Sequence, residues 1–187
     1  MLFCCLSAAT MAQEHMTFKN IPIEGNINDF VEKMEAQNFS VEEKLDGVIT
    51  MKGSFAGFDD CRIYLIFSKK SQTVWKVTVS LPEQVSWTST KSRYEDYKEK
   101  YTQKYGRPTK SYEFFLSPYE RGDGYELQAI SLEKGYYSTY WKSNLGTIVV
   151  EIEATSNSKG WVRLLYEDAA GVEVMRTEKN AAIEDDI

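Results

Sequence analysis

Few residues in this chain have the types and spacing that chemistry needs. A protein metal site takes clustered histidine, cysteine or carboxylate ligands. The single histidine is His15, in an N-terminal arm expected to be mobile. Cys4 and Cys5 stand in an apolar leader, and Cys61 lies inside the strand-like run CRIYLIF. No partner set for zinc or for a Ser-His-Asp relay follows from these positions, and Cys61 reads as a buried, inert thiol. Asp59-Asp60 and Asp185-Asp186 are acidic pairs without the ligand spacing of a calcium loop, so they read as solvated turn and tail charges. Neither of the glycine-rich phosphate motifs occurs. The acids of a glycosidase can stand far apart in a chain, which keeps a hydrolase with dispersed carboxylates open. The expectation is a protein with no cofactor, no metal and no recognisable catalytic residue.

What stands out instead is aromatic. Tyr136, Tyr137, Tyr140 and Trp141 put rings on both faces of a single strand. If helices cover one face of the sheet, the other presents tyrosine and tryptophan, the residue types that dominate interface hot spots. These four are therefore the candidate binding residues. A protein or peptide is the first partner class, and a carbohydrate or peptidoglycan bound on the same rings is the alternative.

The element that must position this sheet is a long helix over residues 88–108, TSTKSRYEDYKEKYTQKYGRP. Tyr94, Tyr97, Tyr101 and Tyr105 follow helical spacing and form a stripe, with Glu95, Asp96, Glu99, Lys100 and Gln103 opposite. Such a stripe packs on a sheet with its hydroxyls at the rim. Ser92 and Glu95 fit a capping box, while Thr88, Ser89 and Thr90 offer an earlier start. Gly106 suits the left-handed position after the last turn, and Pro108 prevents continuation. A shorter helix begins at Asn26, with Ile27, Phe30, Val31 and Met34 on its buried face. Asn38 stops it, and Phe39 folds back.

The remaining segments read mainly as strands. Asp46-Gly47 marks a hairpin within 40–55, and 53–60 reads as a loop. Residues 61–67 alternate clearly, and 73–81 follow with Trp75, Val77, Val79 and Leu81 on one face. Residues 111–116 form a strand and 117–124 a loop. Residues 125–132 and 136–141 read as a strand pair around Lys134-Gly135. Strands at 147–154 and 161–166 close the series, the former with Glu151 and Glu153 outward. The tail, 168–187, is open between a helix carrying Met175 on its apolar side and an irregular end.

The formal charge of −6 is spread along the chain, which excludes the concentrated basic face of a nucleic-acid binder. It equally excludes a polybasic membrane surface. Twelve tyrosines and 13% aromatic residues suit an antiparallel sheet. Residues 1–12, MLFCCLSAATMA, are uncharged and end in small residues, like the back half of an export signal cleaved after Ala12. The basic residues that open such a signal are missing, so the true start is expected further upstream. Lipid attachment at Cys4 or Cys5 is the lesser option. No segment reads as a membrane span. The mature chain of about 175 residues then reads as a single α+β domain.

The order is a helix and about four strands over 26–82, then a helix and four or five strands over 88–166. Each half runs helix, hairpin, glycine-containing loop, long strand, polar turn and Trp-containing strand. That layout resembles the tandem helix-plus-four-strand architecture of the β-lactamase inhibitor proteins. The YGRP helix end and the acidic AIEDDI terminus are similar to small exported proteins of Gram-negative bacteria. The resemblance implies a mostly antiparallel sheet packed by helices, in a periplasmic or extracellular setting, and gives no residue a role.

Overall fold

Alternating apolar residues build strands here, and two amphipathic helices cover them. The computed structural model describes residues 14–155 and 159–186. The expected export segment, with Cys4 and Cys5, lies outside the described residues. In chain order the elements are β1 (Thr17–Phe18), β2 (Ile21–Pro22), α1 (Ile27–Glu35), β3 (Ser40–Leu45), β4 (Val48–Phe55), β5 (Phe58–Phe67) and β6 (Val74–Ser80). There follow α2 (Trp87–Tyr105), β7 (Lys110–Phe115), α3 (Glu126–Ser131), β8 (Gly135–Lys142), β9 (Gly146–Ala154), β10 (Gly160–Asp168) and α4 (Ala169–Asp186). The protein is thus α+β, as expected.

Eight strands form one antiparallel sheet in the order β3-β4-β5-β6-β10-β9-β8-β7, while β1 and β2 make a separate ribbon. The order is mirrored about its middle. α1 leads into β3–β6, α2 leads into β7–β10, and the two sets meet where β6 pairs with β10. One face of the sheet is apolar: Ile63 and Leu65 on β5, Val77 and Val79 on β6, Val150 on β9 and Leu164 on β10 are fully buried. Each such side chain contributes about 1.5–3 kcal/mol when removed from water. Ile27, Phe30, Val31 and Met34 of α1 join the same cluster. Asn26 caps α1 by accepting the Asn28 N–H at 2.9 Å, and Asn38, with φ +66°, ends it so that buried Phe39 donates its N–H back to the Met34 carbonyl.

α2 starts earlier than the capping box would place it. Its N-cap is Ser86, whose hydroxyl accepts the Ser89 N–H at 3.2 Å. Tyr94 and Tyr97 are buried, Tyr101 is partly so, and Tyr105 reaches the rim. The hydroxyls are used within the protein. Tyr94 meets the Thr139 hydroxyl at 2.6 Å, Tyr97 donates to the Ala56 carbonyl at 2.8 Å, and Tyr101 shares a hydrogen bond with Tyr166. Burial pushes the ionisation of Tyr94, Tyr101 and Tyr166 well above that of an ordinary phenol. In an alkaline absorbance titration these three tyrosines are expected to stay silent at about pH 11, past the usual phenol value near 10. If all twelve tyrosines ionise there while the circular dichroism is intact, this packing is wrong.

Three segments differ from the sequence reading. Residues 53–60 are not a loop. β4 runs into β5 through a two-residue turn at Ala56-Gly57, whose φ values of +53° and +87° are those of a tight hairpin, with Phe55 opposite Phe58. Residues 125–132 are not a strand but contain α3. The Asp123 carboxylate accepts the Tyr125 N–H at 2.7 Å and Glu126 accepts the Gly122 N–H at 2.9 Å, which turns the chain into a helix burying Leu127, Ala129 and Ile130. The N-terminal arm is clamped rather than free. His15 Nδ1 lies 3.0 Å from Asp168 Oδ2, and its Nε2 lies 3.1 Å from Glu24. Asp168, at 0% exposure, also accepts the Met16 N–H at 2.7 Å and the Gly171 N–H at 2.8 Å. The tail settles as a helix, α4, with Gly171 pressed against the Trp75 backbone.

Candidate functional site

Strand alternation turns half of the side chains away from the apolar core. On that opposite face lie three adjoining depressions, lined by strand residues and their connecting loops. The largest, about 620 Å³, lies over β7–β10 and includes Tyr112, Tyr140 and Val149. It shares Arg163 and Leu165 with a second over β5, β6 and β10. That one shares Tyr64, Ser80 and Trp161 with a third that reaches Lys52 and Asp60. Together they form one trough running across the strands from β7 to β4.

Charge on this face is largely paired. The Arg163 guanidinium meets Glu151 at 2.6 Å and Glu153 at 2.6 Å, and Lys76 meets Glu167 at 2.8 Å. Burial, with the neighbouring Glu151 carboxylate, pushes the Glu153 carboxyl above its usual range, against the pull of Arg163. The trough therefore has a neutral-to-acidic middle, an aromatic end at β7 and a charged end at β4, where Lys52 meets Asp60 at 2.8 Å. Trp161 forms part of its wall, and its buried indole N–H has no acceptor among the described residues. At the β7 end, Phe114 and Tyr136 pack with tilted rings and centroids 5.1 Å apart, and Tyr112 meets Tyr140 edge-on at 6.0 Å.

The four candidate binding residues divide between the two faces. Tyr136, 39% exposed, and Tyr140 lie on the open face. Tyr137 and Trp141 lie beneath the helices. The Tyr137 ring is edge-on to Trp87 at 4.8 Å and to Tyr94 at 5.8 Å. Trp141 Nε1 donates to the Gly106 carbonyl at 2.9 Å and so holds the end of α2. Their role is to fasten the helix layer. Sequence reading did not single out Tyr112, Phe114, Trp161 or Arg163. The signal was present as alternation: Tyr112 and Phe114 flank Glu113, and Trp161 and Arg163 flank Val162, whose burial dictates the opposite face for its neighbours.

Cys61 is buried, and burial pushes its thiol above the ordinary value, in keeping with an inert side chain. Among the described residues, no group of three or more His, Cys, Asp or Glu could hold a metal ion. No helix among them is long and apolar enough to cross a membrane. Comparison with protein-family models, with curated proteins and with solved structures finds no match to this chain.

Proposed function

We propose that this protein is an exported, non-catalytic module that holds a protein partner on the open face of its sheet. The observation that carries this reading is the trough. It crosses from β7 to β4, and its walls combine Tyr64, Tyr112, Tyr140 and Trp161 with ion pairs already closed on themselves. Strands about 4.8 Å apart make such a face roughly 35 Å wide and roughly 25 Å long, or roughly 900 Å². A standard protein interface takes about 800 Å² from each partner, so the size fits. A short oligosaccharide would cover only a fraction of it. Self-paired charges lower the desolvation that binding must overcome. The export segment read from residues 1–12 and the likeness to β-lactamase inhibitor proteins are consistent with an extracytoplasmic binding role and belong to the same proposal.

A photo-reactive phenylalanine analogue at Tyr140 in producing cells is expected to give a discrete adduct with a second protein. The same analogue at Glu95, on the solvent side of α2, should give none. Tyr140→Ala should weaken that partner's binding by roughly 30-fold, the effect of a hot spot of about 2 kcal/mol. Binding to a defined oligosaccharide on a glycan array, lost in Tyr140→Ala, would overturn the protein-partner reading in favour of a carbohydrate module. Turnover of glycosides or peptides that follows the purified protein would overturn the non-catalytic reading.

A further inference from the structure

The two edges of the sheet are built differently. β3 carries Glu42, Glu43 and Lys44, and its register against β4 breaks between Val41 and Glu43. Charge and a bulge are the devices that keep an edge strand from recruiting another strand. β7, at the other edge, has no such break. Its six residues run in unbroken register against β8, and Tyr112 and Phe114 are 36% and 42% exposed. The Leu116 N–H donates to the Lys134 carbonyl at 2.6 Å. By alternation, Leu116, Phe114 and Tyr112 turn their backbone groups toward β8, and Phe115, Glu113 and Ser111 turn theirs outward. Among the described residues no strand pairs with that outward side.

We propose that β7 pairs antiparallel with β7 of a second copy of this chain, Tyr112 opposite Tyr112, so that two eight-stranded sheets become one. Outward groups must meet outward groups, and a twofold axis through the sheet keeps both open faces on the same side. Two central registers satisfy this. One sets Glu113 opposite Glu113 and is disfavoured by like charge directly across the strands. The other lets Ser111 and Glu113 exchange about four backbone hydrogen bonds across the axis. It also brings Lys110, whose Nζ lies 5.5 Å from its own Tyr112 ring, beside Phe114 of the second copy. The partner is a second copy rather than an unrelated peptide because this edge is self-complementary in charge and ring placement. The blunted β3 edge makes the pairing close as a dimer instead of growing into a fibre. This inference is independent of the partner reading, although it would join two troughs side by side.

The test is sedimentation equilibrium of the full chain, with Cys4 and Cys5 replaced by serine, from about 10 µM to about 500 µM. A reversible dimer is expected. Ser111→Pro removes only an outward N–H, which an edge strand tolerates, and should weaken dimerisation by at least about tenfold. Ser111→Ala loses the hydroxyl bonds to Thr139 and Glu113 but keeps the N–H, and should dimerise like the parent. Should Ser111→Pro fail to fold, cysteine pairs decide. Tyr112→Cys should form an intermolecular disulfide on mild oxidation, since opposite residues at a non-hydrogen-bonded pair sit about 4.5 Å apart at Cα. Phe114→Cys should not, because the register separates the two copies by roughly 13 Å. A parent that stays monomeric, a Ser111→Pro that folds and dimerises undiminished, or equal cross-linking at both positions overturns the proposal.

Discussion

Asp168→Ala is expected to destabilise the protein by about 3–5 kcal/mol, the cost of leaving three donors without their buried acceptor. The carboxylate is fully buried at the end of β10 and serves three donors from two distant parts of the chain. His15 and Met16 bring the N-terminal arm to it, and Gly171 brings the first turn of α4. Alanine strands two backbone N–H groups and the imidazole without an acceptor, and it removes the N-terminal cap of α4. For a chain of this size the melting temperature should fall by roughly 10–15 °C. Asp168→Asn keeps one acceptor oxygen and should lose less. His15→Ala removes one of the three donors and should cost about 1–3 kcal/mol. Urea denaturation of the set gives the ranking, and limited proteolysis should show the arm before Asn26 released first in Asp168→Ala. A loss below about 1 kcal/mol, the net worth of a single ordinary hydrogen bond, would mean that this carboxylate is not the hub described.

Gly146→Ala is expected to cost roughly 4 kcal/mol or more, the range reached only when something specific fails. Gly146 opens β9 with φ +151°, and a Cβ there would lie 1.9 Å from the Glu167 carbonyl oxygen. The obstacle is the backbone of the neighbouring strand, so no side chain can swing aside. Either β9 and β10 separate at this end or the chain does not fold. Soluble yield and the urea midpoint check it, and a fully soluble variant with the parent midpoint would show that the strand spacing here is wrong. Gly146 is the ladder partner of Asp168. The two substitutions strike the same corner, so the double variant should lose less than the sum.

The legible parts of this fold were those with a strong local period. α1 and α2 declared themselves through Ile27-Phe30-Val31-Met34 and the tyrosine stripe, and β9 through the alternation of Ile148, Val150 and Ile152 with Glu151 and Glu153. α3 did not, because six residues are too few to show a helical period and YELQAISL carries enough large apolar side chains to pass as a strand. Its fate is decided by Asp123 and Glu126, which bond backbone groups just before it. The turn at Ala56-Gly57 was hidden by glycines and aspartates that look like a loop, although Phe55 and Phe58 pair across it. The aromatic quartet was visible as a cluster, but alternation alone separates Tyr136 and Tyr140 from Tyr137 and Trp141 without saying which pair meets water. That is decided by where α2 lands. The role of His15 was invisible in principle, since its partner Asp168 lies 153 residues away.

The pairing of β6 with β10 has a consequence for how the protein is made. Lys76 and Glu167 stand 91 residues apart in the chain, and bringing such distant points together costs about 4 kcal/mol in closure entropy alone. A polypeptide emerging from its N-terminus completes α1 and β3–β6 first, with the flank of β6 bare until β10, the last strand, is synthesised. The first half therefore gains its last strand partner only when β10 has been made. Such late commitment favours slow, concerted folding, and it leaves an interval in which the nascent chain is still threadable.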